Sequence, residues 1–367
     1  MAEVILNNLT KRFGDTADGV LAVDHVNLRI KDGEFLVLLG PSGCGKTTTL
    51  RMVAGLETIS DGEIYIGDRV VNRLPPGDRD IAFVFQFYAL YPHLSVKDNI
   101  SFPLRAQQVP PAEVEKRVQH VAERLKINHI LNRRPNRLPS GEQQRVALGR
   151  AMVRQPQVFL MDEPLTNLDA SLRADMRVEL KHLQQELGTT MLYVTHDQVE
   201  AMSMSHRIAV MNQGVLQQFD TPLEIYNHPR TLFVATFIGS PPMNVSRCKV
   251  ADGYLAGEGG FRYRIPDSAA PLLAGHNEVV FGVRAEGVSL QDGDAPTDLR
   301  GVVKVREPLG DETIYQVDTG GYTLMVKTPP KQMFRPGDRV GVVIHDDAIH
   351  LFDATTQQRI EHGEPAS

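Results

Sequence analysis

Cysteine is nearly absent: among 367 residues only Cys44 and Cys248 occur. A disulfide scaffold is thereby excluded, and with Cys44 lodged in a glycine-rich loop the pattern suits a reducing compartment. No apolar run nears the ~18 residues of a membrane span, so a role at a membrane would need spans from another chain. Met1-Ala2-Glu3-Val4-Ile5 lacks a basic n-region and a long apolar stretch, and no signal peptide is expected. Nor is charge of one sign in excess. A net charge of −6 gives no reason to expect bulk nucleic-acid binding. No low-complexity segment or repeat stands out. His345, Asp346, Asp347 and His350 match no common metal-ligand spacing and read as solvated turn residues. Arg133, Arg134 and Arg137 read as a basic loop.

What is present is globular: 42% hydrophobic and 23% charged residues, at a length that suits two domains. The chain can be read outward from Gly40-Pro41-Ser42-Gly43-Cys44-Gly45-Lys46-Thr47, which fits the G-x-x-x-x-G-K-[ST] phosphate-binding loop. The apolar run Phe35–Leu39 before it predicts a buried strand. Thr48 and the residues to Ala54 predict a helix. Glycines let the backbone wrap phosphate oxygens, and the amides make an anion nest at a helix N-terminus. In that motif Lys46 reaches the β- and γ-phosphates and the Thr47 hydroxyl ligates Mg²⁺.

Three further apolar strands end in polar residues. Val158–Met161 delivers Asp162 and Glu163, the first suited to hold Mg²⁺ through water and the second to polarise an attacking water. Successive strand residues point to opposite faces, so Glu163 must act from where the backbone turns. Ile81–Phe85 leads to Gln86, whose amide could ligate Mg²⁺ or the attacking water. Thr190–Thr195 leads to His196, whose imidazole could bond a γ-phosphate. Open α/β sheets bind ligands at such strand ends. Helical spacing runs through residues 95–150, and Asp169–Leu187 predicts a long amphipathic helix stopped by Gly188. After Ile238-Gly239-Ser240-Pro241-Pro242 the pattern becomes short strands between glycine turns, read as an all-β domain and a small barrel. Phe13, alone, reads as a core aromatic.

Taken together, Gly40–Thr47, Gln86, Leu138–Arg145, Met161–Pro164, Asn167-Leu168-Asp169 and His196 resemble the ATP-binding cassette (ABC) proteins. Arg79–Gln86, Tyr88–His93 and Phe237–Pro241 with Met243-Asn244 are similar to ATPase subunits of carbohydrate importers, the maltose/trehalose and glycerol-3-phosphate branch. Phe281–Glu286 looks like part of their regulatory oligonucleotide-fold domain. The resemblance implies an α/β P-loop NTPase over residues 1–237, with a helical subdomain at about 88–155. A β-rich, oligonucleotide-fold-like regulatory or dimerisation domain is implied over 238–367. It implies an ATPase using ATP and Mg²⁺. Phe13, Gly40, Pro41, Ser42, Gly43, Cys44, Gly45, Lys46, Thr47, Thr48, Gln86 and Asp162 would hold nucleotide, with Thr47, Gln86 and Asp162 at the metal. Glu163 becomes the general base, His196 the γ-phosphate contact and Lys46 the phosphate lysine. Ser140, Gly141 and Glu142 would close over the ATP of a second copy or a second ABC ATPase. Partners implied are two transmembrane permease subunits, seated on Phe87–Leu94, and indirectly an extracytoplasmic solute-binding protein. The place implied is the cytoplasmic face of the cell membrane, as a peripheral subunit. Sugars, polyols or glycerol phosphates are the implied cargo. Import of another solute, a soluble cassette ATPase without transport, and a P-loop kinase are the alternatives.

The signature segment departs from the family's Leu-Ser-Gly-Gly-Gln. Pro139 stands where serine is usual, Ser140 for the first glycine and Glu142 for the glutamine. Ser140 with Gln143 predicts a capping box and a helix start shifted one residue on. Glu142 would bring an anion near the phosphates. A slightly remodelled active site is expected, against the alternative of a slow site that relies on an intact partner. Thr166, Phe87 and Arg284-Ala285-Glu286-Gly287 are smaller departures.

Overall fold

A computed structural model describes residues 2–14, 19–295, 297 and 299–361. The chain forms two compact units, Met1–Pro222 and Leu223–Ser367. In the first, strands β1 (Val4–Phe13), β2 (Val20–Ile30), β4 (Asp61–Ile66) and β5 (Arg69–Val70) form an antiparallel sheet in the order β2-β1-β4-β5. A second sheet has the order β10-β9-β3-β8-β7-β6, from β3 (Phe35–Leu39), β6 (Ile81–Val84), β7 (Val158–Asp162), β8 (Thr190–Thr195), β9 (Arg207–Asn212) and β10 (Val215–Asp220). Its β9-β3-β8-β7-β6 pairings are parallel and β10 closes one edge antiparallel. All five residues of β3 are buried, which is why that strand reads as an unbroken apolar run. Each such side chain contributes about 1.5–3 kcal/mol relative to exposure.

Helix α1 (Lys46–Ala54) leaves the end of β3, and its Leu50 and Val53 join a core with Leu6, Ile64, Leu38 and Leu192. Its far end is held by Arg79. That buried guanidinium donates to the carbonyls of Met52 and Val53 at 2.7 and 2.9 Å and to Leu74 at 2.9 Å. A cation on the last carbonyls of a helix satisfies acceptors that have no partner within it. Helices α2 (Val96–Ala106), α3 (Pro111–Arg124) and α4 (Ser140–Met152) fill the region expected to be helical, and α5 (Ala170–Leu187) ends at Gly188, φ 59°. Asp197 accepts from the amides of Val199 and Glu200 to start α6 (Gln198–Met204).

The second unit contains more than strands. Helices α7 (Pro222–Asn227) and α8 (Leu232–Phe237) pack with it, although the sequence placed them before a boundary at 237/238. Ala235 and Leu232 share a small core with Met243, Val280 and Phe352, and the Leu232 amide donates to the Gln357 carbonyl. Two five-stranded sheets share a larger core. One has the order β13-β12-β11-β14-β20, from β11 (Asn244–Ala251), β12 (Tyr254–Gly257), β13 (Arg262–Arg264), β14 (Glu278–Val283) and β20 (Ile349–Asp353). The other has the order β15-β19-β16-β17-β18, from β15 (Val288–Asp292), β16 (Leu299–Pro308), β17 (Thr313–Asp318), β18 (Thr323–Thr328) and β19 (Arg339–Ile344).

His350 does not sit in a solvated turn. It lies in β20 opposite Gly282, and its Nδ1 is buried without a hydrogen-bond partner among the described residues. Burial, then the nearby Arg359, Arg284 and His228, push its pKa from 6.5 to about 3. An unfolded chain therefore takes up a proton at this residue that the folded chain refuses, so stability falls as pH drops from 6.5 toward about 3. Replacing His350 with glutamine should flatten that part of the curve. Denaturant midpoints followed by circular dichroism across this range test it, and an unchanged slope in His350→Gln would show that other groups dominate.

Candidate functional site

Four parallel strands set the site. β3, β8, β7 and β6 are neighbours, with Leu39 opposite Thr195, Asp162 opposite Val194 and Val84 opposite Met161. Their C-terminal ends therefore lie along one edge, which brings the loop from Gly40, then His196, Asp162 with Glu163, and Gln86 to the same side of the sheet. This is the arrangement expected from the four apolar runs.

The loop lies close against neighbouring backbone of β9 and β2. A Cβ on Gly40 would lie 2.3 Å from the Met211 carbonyl oxygen, and one on Gly45 would lie 2.4 Å from that of Ala22. Gly45 also has φ 104° and precedes α1 without any side-chain cap. The first-turn amides of α1 are thus left for an anion, in the geometry that binds phosphate. Lys46 is 5% exposed, and its ammonium donates to the carbonyls of Gly40 and Pro41 at 2.8 Å each. The Cys44 thiol lies 3.8 Å from it, and burial pushes that thiol's pKa up.

The Thr47 hydroxyl donates to Asp162 Oδ1 at 3.0 Å. Burial raises the Asp162 pKa above the ordinary carboxylate value, with Thr47 pulling the other way. Threonine hydroxyl, aspartate carboxylate and the Gln86 amide are oxygen donors, which suits a hard cation such as Mg²⁺. Among the described residues no cluster of three or more His, Cys, Asp and Glu could hold a metal. Mg²⁺ needs none, since it takes only one or two protein carboxylates together with substrate phosphates.

Glu163 follows the end of β7 with φ 45° and is tied through its amide to the Val194 carbonyl at 3.0 Å. The left-handed turn sends its side chain off the strand's alternation, as the paired carboxylates required. Glu163 Oε2 lies 3.2 Å from His196 Nδ1 and accepts from Thr166 at 3.3 Å. Asn167 donates to the Gln86 carbonyl at 2.9 Å, linking two neighbouring strand ends. Behind His196, the buried Glu200 accepts from Thr195 at 2.7 Å and Tyr193 at 2.8 Å. The sequence reading missed that support. Its signal was the Asp197-x-x-Glu200 spacing of a helix start, which draws Glu200 back toward the strand it follows.

Phe13 is 43% exposed and is not a core residue by itself. It pairs with Val20 at the end of the β1–β2 hairpin, the same hairpin whose Ala22 touches the phosphate loop. The Lys11 ammonium lies 4.8 Å from its ring centroid.

The signature helix differs from expectation. α4 starts at Ser140, and the capping position is Pro139, with no side-chain cap. Pro139 has φ −56° and ψ 156°, and its carbonyl accepts from the Gln143 amide at 3.0 Å. The capping box is not formed, because Gln143 Nε2 donates instead to the Leu138 carbonyl at 2.9 Å. Proline's fixed φ suits this entry into the helix, which starts at Ser140 and is not shifted past it, with no side-chain cap. Glu142 is not an unpaired anion either. His129 Nε2 lies 3.3 Å from its Oε1.

Residues 23–166 match the ABC transporter family, 239–288 the MalK OB fold domain and 281–352 the TOBE domain. The chain is 51% identical to the trehalose/maltose import ATP-binding protein MalK of Thermococcus litoralis, over 98% of this chain and 100% of that protein. It is 47% identical to the sn-glycerol-3-phosphate import ATP-binding protein UgpC of Cupriavidus pinatubonensis, over 98% of this chain and 100% of the relative. It is also 47% identical to the xylose/arabinose import ATP-binding protein XacK of Haloferax volcanii, over 99% and 97%. The dimeric post-hydrolysis structure of the ATP-binding cassette MJ0796, bound to ADP and Pi, superposes with a TM-score of 0.54 at 33% identity, covering 60% of this chain and 98% of that one. With the phosphate loop, the acidic strand end and full-length likeness to import ATP-binding proteins in hand, the chain belongs to the ABC transporter family as one of its ATP-hydrolysing subunits.

Proposed function

We propose that this chain energises import of sugars or related polyols and glycerol phosphates through separate membrane-spanning subunits. The observation that carries the chemistry is the linked strand-end set, Thr47–Asp162 beside Glu163–His196. Lys46 and the loop amides hold the phosphates, and Glu163 takes the proton of the attacking water while His196 bonds the γ-phosphate. Thr47, Asp162 and Gln86 hold Mg²⁺, which supplies charge neutralisation on the phosphates. Phe13 offers its exposed ring to the adenine. Two copies meet so that Ser140, Gly141 and Glu142 of one cover the γ-phosphate held by the other, and the relative solved as a dimer supports this.

Transport follows from the membrane side. Among the described residues no helix is long and apolar enough to cross a membrane, so the spans come from partner subunits. Their docking place is the segment Phe87–Leu94, beside a cavity of about 400 Å³ lined by Phe83, Phe85, Ala89, Tyr91, Phe102 and Arg150. Phe87 is 77% exposed there, and Arg150 fixes the segment by donating to the carbonyls of Tyr88 and Ala89 at 2.8 and 2.6 Å. The position is peripheral, on the cytoplasmic face, with a solute-binding protein acting on the far side. The relatives named for trehalose/maltose, glycerol 3-phosphate and xylose/arabinose support the cargo class.

The test is co-expression with candidate pairs of polytopic membrane proteins from the same genome, followed by reconstitution of any complex in vesicles. ATP-dependent uptake of one of maltose, trehalose, sn-glycerol 3-phosphate or xylose is expected. A chain that hydrolyses ATP freely yet forms no complex with any of these pairs would rule out the importer reading.

A further inference from the structure

Glu142 is the third residue of α4, in its first turn. A carboxylate suits a helix N-terminus. Under the two-copy reading, however, this helix end also faces a triphosphate, and two anions there repel. The direction taken by the Glu142 side chain therefore bears on nucleotide binding.

Its two oxygens are treated differently. Oε1 lies 3.3 Å from His129 Nε2, while Oε2 is buried with no hydrogen-bond partner among the described residues. The His129 ring is thus the side-chain donor that holds this carboxylate. The side chains are 64% exposed for His129 and 27% for Glu142. Packing is not what the histidine supplies. Its backbone is nonetheless fixed: His129 sits in the short turn Asn128–Ile130, and Ile127 and Ile130 on either side are fully buried. An exposed donor on an anchored turn, aimed at the one charged residue that departs from the signature pattern, is a positioning arrangement.

We infer that His129 is a positioning residue for ATP binding: it holds the Glu142 carboxylate aside, so that the signature end of α4 can approach the γ-phosphate of the opposing copy. The Nε2–H of His129 donates to Oε1, and the pair replaces the neutral amide of the usual signature glutamine. Without the histidine, the carboxylate is free to turn toward the phosphates. Without the carboxylate, the histidine has nothing to hold. The inference rests on the two-copy reading proposed above.

Its test is a double-mutant cycle in the full-length protein, read as steady-state ATP hydrolysis. His129→Ala should raise KM for ATP about five-fold, with little change in kcat. In a Glu142→Gln background the same substitution should leave KM nearly where Glu142→Gln alone puts it. His129→Gln, which keeps an N–H donor, should restore most of the lost affinity. An equal penalty in both backgrounds, or none in either, overturns the inference, because a purely structural histidine would not depend on the charge at 142. A parallel measurement separates the two levels. If Glu163→Gln forms an ATP-dependent dimer on size exclusion while the cycle shows no coupling, only the His129 inference falls. If no ATP-dependent dimer forms, the two-copy reading and this inference fall together.

Discussion

Glu163→Gln is expected to bind ATP with nearly unchanged affinity while its turnover falls by a factor of about 10²–10⁴, the usual worth of a positioned general base. The substitution is nearly isosteric. The glutamine oxygen can still accept from Thr166, which now lies 3.3 Å from Oε2. The backbone that aims the side chain is fixed independently, by the bond from the Glu163 amide to the Val194 carbonyl and by the left-handed φ of 45°. That conformation costs a non-glycine residue about 1–3 kcal/mol, and the substitution leaves it as it was. What disappears is the negative charge able to take a proton from water. Phosphate release and nucleotide binding, measured on the same preparation, distinguish the outcomes. Hydrolysis near the normal rate would remove Glu163 from the role of base and shift attention to His196, 3.2 Å away.

The contrast between site and surroundings shows what a sequence can carry. Gly40–Thr47, Asp162, Glu163, Gln86 and His196 were legible because each follows a strand buried in a parallel sheet. Such strands read as continuous apolar runs with a polar stop. The second unit was legible only in part. β14, β16, β17, β18, β19 and β20 lie where short strands between glycine turns are expected, but β11 buries Asn244, Ser246 and Cys248 on its inner face. Polar and small residues on the inward positions erase the period. α7 and α8 have six residues each, too few to display a 3.6-residue repeat. The start of α4 differs from expectation for another reason. Ser140 and Gln143 fit the capping pattern, yet Pro139 occupies the capping position one residue earlier, without a side-chain bond. The pairing of His129 with Glu142 spans a turn and a loop, and only the fold brings them together.

Lys46→Ala should act on the other half of the mechanism, weakening ATP affinity itself by about a hundred-fold, as truncating one partner of a buried charge pair typically does. Lys46 is 5% exposed, and its ammonium already sits inside the loop, 2.8 Å from the carbonyls of both Gly40 and Pro41. Those bonds close the loop around the place where phosphate oxygens must lie. Alanine removes the formal positive charge and leaves both carbonyls without that donor. The first-turn amides of α1 remain, but a helix terminus offers only about 0.3–1 kcal/mol to an anion at an exposed site, too little to replace a lysine. The loop keeps other backbone bonds that do not involve the Lys46 side chain, such as the one the Gly214 amide donates to the Cys44 carbonyl at 3.0 Å. Calorimetric titration with ATP and Mg²⁺ reads the affinity directly. The rise in melting temperature that ATP gives the parent chain should shrink in step, because that rise depends on ligand concentration relative to Kd. An unchanged Kd would mean that the backbone nest alone binds the phosphates. A lost affinity here, beside a retained one in Glu163→Gln, would assign binding to the loop and chemistry to the end of β7.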